Sequence, residues 1–137
     1  MTNHASGTFE FKAWDEKTWD GKPARDVKGA KLTHAVISNT YHGDIDGTSA
    51  SHILMVYDAK ENAVYNGLEQ ITGKLGGKSG SFVLQMVGKF DGGVASGDFT
   101  VVPGSGTGDL KGLSGKGGFA AQLHQNNTPY TLDYTLE

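Results

Sequence analysis

Two glycine-rich phrases constrain the fold of this chain more than any other feature of its sequence. They read Thr72-Gly-Lys-Leu-Gly-Gly-Lys-Ser-Gly80 and Thr107-Gly-Asp-Leu-Lys-Gly-Leu-Ser-Gly115, match at six of nine positions, and lead into Phe82 and Phe119. Glycine adopts positive φ in tight turns and bulges without steric cost, and it weakens helices. The phrases therefore predict β-strands joined by tight turns.

Composition supports one globular β domain over residues 1–137. The chain has 21 glycines but only 3 prolines, and its glycines separate alternating segments instead of forming a low-complexity linker. It has no cysteine, which excludes disulfides, thiolate catalysis and cysteine-bound metal sites, and which is typical of a reducing compartment.

The charge and hydropathy of the chain limit the classes of partner that it can bind. The 12 basic and 15 acidic side chains give a net charge of −3 without a basic cluster, so we expect no nucleic-acid partner. No apolar run approaches the roughly 20 residues of a membrane span, and the N-terminus does not read as a secretion signal. We therefore predict a cytoplasmic protein with no membrane partner.

Alternating apolar and polar segments recur between Gly, Asp and Asn, as in a meander, sandwich or barrel. We predict strands over Gly7–Trp14, Leu32–Asp46, Thr48–Tyr57, Ala63–Lys74, Lys78–Phe90, Val94–Val102, Gly115–His124 and Pro129–Glu137. Tight turns at Asp46-Gly47, Gly76-Gly77 and Asp91-Gly92-Gly93 would make consecutive strands antiparallel neighbours. Pairing the last strand with the first removes both sheet edges, so we predict an all-β, eight-stranded antiparallel up-and-down barrel with room inside for side chains or one small ligand.

Two connections break this rhythm. Asp15–Lys31 carries nine charged side chains, too many for a strand, and is either a lid over a binding site or a mobile loop. Pro103–Gly112 is glycine-rich, but no Gly-Lys-Ser/Thr follows it, so it predicts a turn or a short helical plug at a barrel end instead of a phosphate-binding loop.

The Gly76-Gly77 turn predicts which side chains face inward. A two-residue turn sets Ile71 opposite Phe82, Glu69 opposite Leu84, Gly67 opposite Met86 and Tyr65 opposite Gly88. That face is apolar except for Glu69, whereas the other face is mixed and suits a solvated wall. Burying an ionised carboxylate is costly, so we expect Glu69 to be paired, hydrogen-bonded or neutral.

Glu69 is the candidate functional residue, as a general acid/base or as an anchor for a polar ligand group, or else it is a structural glutamate bonded to a tyrosine or histidine. The Asp46-Gly47 turn would set Tyr41 opposite His52, and His42 opposite Ser51. The next register stays open: Glu69 lies beside Ser51 with His42 one strand further, or beside His52 with Tyr41 beyond it. The catalytic candidates are thus Glu69, His52 and His42, although each histidine could equally be an exposed or structural side chain.

The predicted cavity wall consists mainly of inward-facing apolar and aromatic residues. The ligand-binding candidates are Tyr41, Ser51, Tyr57, Tyr65, Ile71, Phe82, Leu84 and Met86, and Trp14 and Trp19 are further candidates to roof the cavity. We expect a ligand-binding barrel to contain a void of at least about 300 Å³, where drug-sized pockets begin, and a smaller void would count against the ligand hypotheses. The histidines lack close ligand spacing, so neither a metal site nor a cofactor is predicted.

Several phrases occur in an order that resembles a bacterial family of small proteins, domain of unknown function 3224 (DUF3224). They are Gly7-Thr-Phe-Glu-Phe-Lys-Ala-Trp-Asp15, Tyr65-Asn-Gly-Leu-Glu-Gln-Ile-Thr-Gly73, Gly80-Ser-Phe-Val-Leu-Gln85, Val101-Val-Pro-Gly-Ser-Gly-Thr-Gly-Asp-Leu-Lys-Gly-Leu113 and Tyr130-Thr-Leu-Asp-Tyr134. The resemblance implies an allene oxide cyclase-like barrel of the calycin or lipocalin kind, shared with plant cyclases and dirigent proteins. It also implies a cavity for a small hydrophobic molecule, with cyclisation or isomerisation as the associated chemistry, but it assigns no catalytic residue to this chain.

Three functions are compatible with these observations. The barrel encloses a small hydrophobic ligand and acts as a cyclase or isomerase by confining it beside Glu69, or it is a non-catalytic, lipocalin-like carrier of a lipid-like molecule. Alternatively, the barrel is solid and self-associates as a homodimer through Val83, Leu68 and Val87 on its outer wall.

Overall fold

The computed structural model, which describes residues 2–122 and 127–136, contains a closed antiparallel β-barrel. Its strands are β1 (Asn3–Thr18), β2 (Lys31–Gly43), β3 (Ile45–Tyr57), β4 (Ala63–Leu75), β5 (Lys78–Asp91), β6 (Val94–Val101), β7 (Leu113–Gln122) and β8 (Thr128–Leu136). Neighbours in sequence are neighbours in the sheet, and β8 pairs with β1. The predicted eight-stranded up-and-down barrel is confirmed.

Helical structure is confined to short pieces. The described residues form two 3₁₀ turns, Ala24–Asp26 and Gly108–Leu110, and no helix among them is long and apolar enough to cross a membrane. Three residues predicted to lie in strands, Leu123, His124 and Glu137, fall outside the described part of the chain.

Strand β1 differs most from its predicted range. It continues through Asp15–Thr18, the first part of the predicted polar connection, because these residues still pair with β2 as far as Thr18 opposite Thr33. The register shifts between Phe11 and Ala13, which leaves Lys12 as a bulge. This bulge reverses the alternation, so that Trp14 and Glu16 take the side of the sheet that Phe9 and Phe11 occupy before it.

Two of the three predicted hairpin turns are present in the structure. The β4–β5 register is as predicted, with Leu75 opposite Lys78 across Gly76 and Gly77, both at positive φ. Likewise, Asp91 lies opposite Val94 across Gly92-Gly93. These two predictions are confirmed because each glycine pair supplies the positive φ that a type I′ turn requires.

The predicted turn at Asp46-Gly47 is wrong. The chain reverses at Asp44, and Tyr41 lies opposite Gly47 instead of His52. Contacts from outside the β2–β3 hairpin fix Asp44: its carboxylate accepts a hydrogen bond from the Ser6 backbone N–H at 2.9 Å, and its carbonyl accepts one from the Gly76 N–H, also at 2.9 Å. A local dipeptide rule cannot anticipate such contacts.

One end of the barrel, which we call the closed end, is filled by a plug segment, residues 102–112. Past the end of β6 this segment runs beside β5, where the Thr107 hydroxyl accepts the Ser81 N–H at 3.0 Å and the Ser105 hydroxyl accepts the Val83 N–H at 3.1 Å. It inserts the fully buried Leu110 into the barrel. The prediction of a short helical plug is confirmed, and the plug also satisfies backbone donors that would otherwise form an open edge.

The core is concentrated at this closed end. Its inward side chains interlock around Leu110 and are almost completely buried; they include Ile45, Ile71, Leu75, Phe82, Leu84, Val101, Leu113, Tyr130 and Leu132. At the opposite end, which we call the open end, lie the connections 19–30, 58–62 and 92–93.

Replacing Gly80 with alanine should destabilise the closed end. A Cβ at this position would lie 2.0 Å from the Thr107 carbonyl oxygen, so the plug segment would have to move away from β5. We expect Gly80→Ala to lower the free energy of unfolding by about 1–3 kcal/mol, the usual cost of overpacking. Urea denaturation measures the change, with the exposed neighbour substitution Ser79→Ala as control. Equal stability of the two variants would contradict the packing described.

Candidate ligand-binding site

The open half of the barrel contains a cavity of about 240 Å³. This volume is below the roughly 300 Å³ that we set as the lower limit for a ligand, so the expectation of a drug-sized void is wrong, and only a smaller molecule would fit. An apolar cavity of about 150 Å³ holds benzene, so a single ring with one or two substituents fits here. Described residues that line the cavity are Phe9, Phe11, Trp14, Ile37, Asn39, Tyr41, Ser51, Ile53, Met55, Tyr57, Tyr65, Glu69, Met86, Phe90, Ala95, Phe99 and Phe119.

Inward-facing glycines make room for two of the aromatic rings in the wall. The Tyr65 ring lies over Gly88, where a Cβ would approach its Cζ to 2.5 Å, and the Tyr65 hydroxyl donates to the Ser96 carbonyl at 2.9 Å. The Phe119 ring lies over Gly97 in the same way, with a closest approach of 2.9 Å. The rings therefore lie along the wall and leave the centre of the open half empty.

The mouth of the cavity is aromatic and partly open to solvent. Phe11 and Trp14 pack edge to face at 4.9 Å between centroids, yet remain 47% and 49% exposed. They lie beyond Phe9, the last β1 residue for which pairing with β8 is described. These two large side chains frame the opening.

Glu16 holds the side chains of the mouth in place. Its carboxylate accepts hydrogen bonds from the Tyr57 hydroxyl at 2.6 Å, the Thr33 hydroxyl at 2.7 Å and the Trp14 indole N–H at 3.1 Å. Lys31 also lies 4.4 Å from the centre of the Tyr57 ring. Two cavity-lining residues, Trp14 and Tyr57, therefore depend on one carboxylate for their orientation.

Glu69 lies in the wall of the cavity and is only 2% exposed, as predicted. Its Oε2 accepts three hydrogen bonds, from the Ser49 hydroxyl at 2.5 Å, the Tyr41 hydroxyl at 2.8 Å and the Asn39 amide at 3.1 Å. These donors come from β2 and β3, so the carboxylate joins three adjacent strands inside the barrel.

Burial controls the protonation of this cluster. Loss of solvation raises the pKa of Glu69, and the bonds from Ser49, Tyr41 and Asn39 oppose that rise only in part. Burial, together with the negative charge of Glu69, also raises the pKa of Tyr41, so Tyr41 remains a neutral donor. Glu69 is therefore a weaker acid than an exposed glutamate, and the three hydrogen bonds to Oε2 stabilise its ionised form.

The structure divides the predicted ligand-binding residues into two groups. Tyr41, Ser51, Tyr57, Tyr65 and Met86 line the cavity, and so does Trp14. Ile71, Phe82 and Leu84 do not line it: they face inward as predicted but are buried in the closed-end core, with Leu84 at the level of Glu69 and the other two beyond it. The sequence predicted correctly which face of these strands points inward, but it did not show where along the barrel axis the packed core ends and the cavity begins.

Neither predicted histidine reaches Glu69. Ser51 does lie opposite Glu69, which was one of the two registers left open, but Ser51 pairs on its other side with Ile37 instead of His42. Because the turn is at Asp44, both His42 and His52 are exposed on the outer wall. There His42 lies 3.4 Å from Glu10, and His52 stacks on His34.

Sequence reasoning missed Asn39 and Ser49, two of the three donors to Glu69. A usable signal existed for Asn39, because it is a polar residue at an inward position of β2, two residues before Tyr41. The aromatic residues Phe9, Phe11, Phe90, Phe99 and Phe119 were also missed as cavity residues. Phe90 could have been assigned from the predicted β4–β5 register, whereas the inward direction of the other four depends on strand pairings that the turn signals did not fix.

The connection 19–30 does not cover the cavity in this conformation. Of the described residues that line the cavity, none belongs to it. Trp19, predicted as a roof residue, instead donates its indole N–H to the Thr33 carbonyl at 3.2 Å and is largely exposed. Across residues 2–122 and 127–136, no group of three or more His, Asp or Glu side chains is placed to hold a metal ion.

Comparison with known proteins gives a family and a related structure. The family model described as "Protein of unknown function (DUF3224)" matches residues 5–134. A crystal structure of a protein of unknown function from the DUF3224 family of Shewanella oneidensis MR-1 is 28% identical, with a TM-score of 0.76, and the alignment covers 100% of this chain and 99% of that chain. No curated protein matches the sequence.

The raised pKa of Glu69 predicts a pH-dependent contribution to stability. In the folded state this carboxyl binds its proton more tightly than in the unfolded state, so its contribution is fully present below pH about 4.5 and is lost as pH rises through the folded-state pKa. We therefore expect the stability of the wild type, relative to Glu69→Gln, to fall as pH rises above 4.5, by at most about 1.4 kcal/mol per pH unit. Urea denaturation across this range measures it.

The matched control is Glu10→Gln on the outer wall. Hydrogen bonds from Lys12 and His42 lower the pKa of Glu10, so the stability of the wild type relative to this variant should change with pH in the opposite direction. A wild-type advantage over Glu69→Gln that is constant, or that grows with pH, would show that Glu69 is not a buried acid of raised pKa.

Proposed function

The chain belongs to the DUF3224 family, as its sequence phrases predicted, and we propose that it binds a small, mainly apolar molecule in the open half of the barrel. The observation that carries this proposal is a cavity bounded by aromatic side chains and by one buried carboxylate. Small-molecule sites typically combine an apolar wall with a few placed polar groups.

The volume and the wall together limit the occupant. About 240 Å³ suits a single ring or a short branched chain, and it is too small for a long lipid lying wholly inside. The ring edges and faces of Phe9, Phe99 and Phe119 favour an aromatic or otherwise flat molecule, since aromatic groups pack well edge to face. The exposed pair Phe11 and Trp14 gives such a molecule an apolar route in.

Binding has better support than acid–base turnover. The enzyme hypothesis paired Glu69 with His42 or His52, and both histidines lie on the outer wall. The hydroxyl protons of two cavity tyrosines are also engaged in hydrogen bonds to carboxylates, because Tyr57 donates to Glu16 and Tyr41 donates to Glu69. Glu69 thus remains as the one strongly buried carboxyl at the cavity, which suits the anchoring of a ligand. Cyclisation or isomerisation, and the allene oxide cyclase-like relationship, remain predictions from the resemblance.

Filling the cavity should block binding of a small apolar probe. Ala95 lines the cavity, so Ala95→Leu places extra carbon atoms where the probe would lie. We expect the wild type to bind p-xylene and Ala95→Leu to bind it about tenfold more weakly, consistent with the cost of overpacking. NMR titration measures both affinities.

The control applies the same substitution to the outer wall. Ala50 is exposed on β3, so Ala50→Leu should leave the affinity for p-xylene unchanged. Failure of the folded wild type to bind any small aromatic probe, p-xylene included, or equal binding of p-xylene by Ala95→Leu, would exclude the proposed cavity site.

Self-association is a second candidate function, supported by an apolar area on the outside of the barrel. We call it the outer-wall patch: the large apolar side chains of β2 to β5 near the open end that are 40% to 61% exposed, namely Leu32, Val36, Leu54, Val56, Val64, Leu68 and Val87. Leu68 and Val87 were predicted to take part. Val83 is less exposed, because the plug segment runs beside it.

A second copy of this chain is the occupant that fits the patch. Its outward positions carry apolar, amide and histidine side chains with little charge, which matches the charge depletion of interface cores. Four outward positions on each of four strands cover about 500 Å² of the curved outer wall. Two such faces related by a two-fold axis total at most about 1,000 Å², which is the size of a weak interface that forms at high concentration.

Charged substitutions in the patch should abolish this association. We expect the wild type to sediment as a dimer at high concentration, and the double variant Val64→Lys with Leu68→Lys to sediment as a monomer, because two ammonium groups would have to be buried in each copy. Thr72→Lys, on the outer face of the same strand but away from the patch, is the control. A monomeric wild type at millimolar concentration would contradict the dimer.

A further inference from the structure

The cavity wall leaves specific polar atoms without protein partners. All three hydrogen bonds to Glu69 end on Oε2, and Oε1 accepts none from the described residues. Asn39, whose amide nitrogen donates to Glu69, has a buried Oδ1 without any partner among those residues. Both side chains line the cavity, and both are more than nine-tenths buried.

The tyrosine hydroxyl and indole donors of the wall, in contrast, are already used, and one of the two Asn39 amide N–H groups is used as well. The Tyr41 hydroxyl donates to Glu69, the Tyr57 hydroxyl and the Trp14 indole donate to Glu16, and the Tyr65 hydroxyl donates to a backbone carbonyl. The Ser51 hydroxyl can either donate or accept a hydrogen bond, so it does not decide whether the site prefers a donor or an acceptor on the ligand. The wall therefore offers a ligand acceptors in excess of donors.

Leaving buried acceptors unmatched is unfavourable, and a ligand can correct it. A buried polar atom without a partner carries its desolvation cost, and the bond to an ionised acceptor is stronger than one between neutral groups. A ligand without a donor would cover Glu69 Oε1, which faces the cavity, without compensation. A ligand with one O–H directed at the carboxyl would supply the missing bond.

We propose, on the basis of the proposed binding function, that the natural ligand is a compact aromatic or similarly apolar molecule with a single hydroxyl group, such as a phenol. Its ring occupies the space between the aromatic side chains. Its hydroxyl donates to Glu69 Oε1 beside Asn39, and so completes the polar cluster that Ser49, Tyr41 and Asn39 begin. No bond is made or broken in this step.

Three probes of similar size test the polarity of the site. They are p-cresol, which donates through its hydroxyl; p-xylene, which has a methyl group in its place; and 4-methylbenzaldehyde, which only accepts. We expect p-cresol to bind the wild type about tenfold or more tightly than either other probe, the ratio expected for one hydrogen bond to a carboxylate. NMR titrations at one pH at which Glu69 is ionised, chosen from the pH dependence of stability described above, give the ranking without any variant.

A conservative substitution of Glu69 replaces the free hydrogen-bond acceptor of the site with a donor. In Glu69→Gln, the amide oxygen is needed to accept the bonds from Ser49, Tyr41 and Asn39, so an amide N–H₂ replaces Oε1. We expect p-cresol to lose its advantage and 4-methylbenzaldehyde to gain affinity, with p-xylene unchanged. Glu10→Gln on the outer wall should change none of the three affinities.

The outcomes separate this inference from the function on which it rests. If no probe binds the folded wild type, the cavity site itself is wrong. If p-xylene binds and p-cresol is no tighter, or if the aldehyde is the tightest, the cavity site stands and the hydroxyl inference is overturned.

Discussion

The seam between β1 and β8 is the constraint on which the rest of this structure depends. Pairing from Asn3 with Tyr134 to Phe9 with Thr128 closes the sheet, so each of its strands must alternate between interior and exterior. The same seam places the mouth, since after Phe9 the paired strand described for β1 is β2. Phe11 and Trp14 stand beyond the described part of this seam, at the mouth of the cavity.

The two ends differ because they are filled by different parts of the chain. At the closed end, the plug segment brings in Leu110 and occupies the edge of β5 that β6 leaves free. At the open end, the long aromatic side chains lie along the wall over glycines, and no described residue of the connection 19–30 enters the barrel. The interior is thus solid up to the level of Glu69 and hollow beyond it, which excludes a fully solid barrel.

Local signals predicted what local geometry determines. The Gly76-Gly77 turn set the β4–β5 register and correctly directed Glu69 inward, because both glycines adopt the positive φ that the turn requires. The same logic failed at Asp46-Gly47, where contacts of Asp44 with Ser6 and Gly76 moved the turn and carried both histidines to the outside. The bulge at Lys12, which directs Trp14 into the mouth, had no comparable sequence signal. Tertiary contacts therefore determine which of the remaining residues reach the site, and local sequence signals do not reveal those contacts.

The hydrogen bonds around Glu69 are better explained by recognition than by stability. An apolar side chain in its place would avoid the cost of burying a carboxyl, and replacing buried polar groups by well-packed apolar ones is often neutral or stabilising. The barrel instead commits Ser49, Tyr41 and Asn39 to one carboxyl oxygen and leaves the other at the cavity. Three donors on a single oxygen fix the carboxyl plane, and a fixed plane gives the second oxygen a defined direction. Because the rest of the interior is apolar, the fixed direction of this second oxygen would let the site distinguish a ligand of matching polarity from other molecules of equal size.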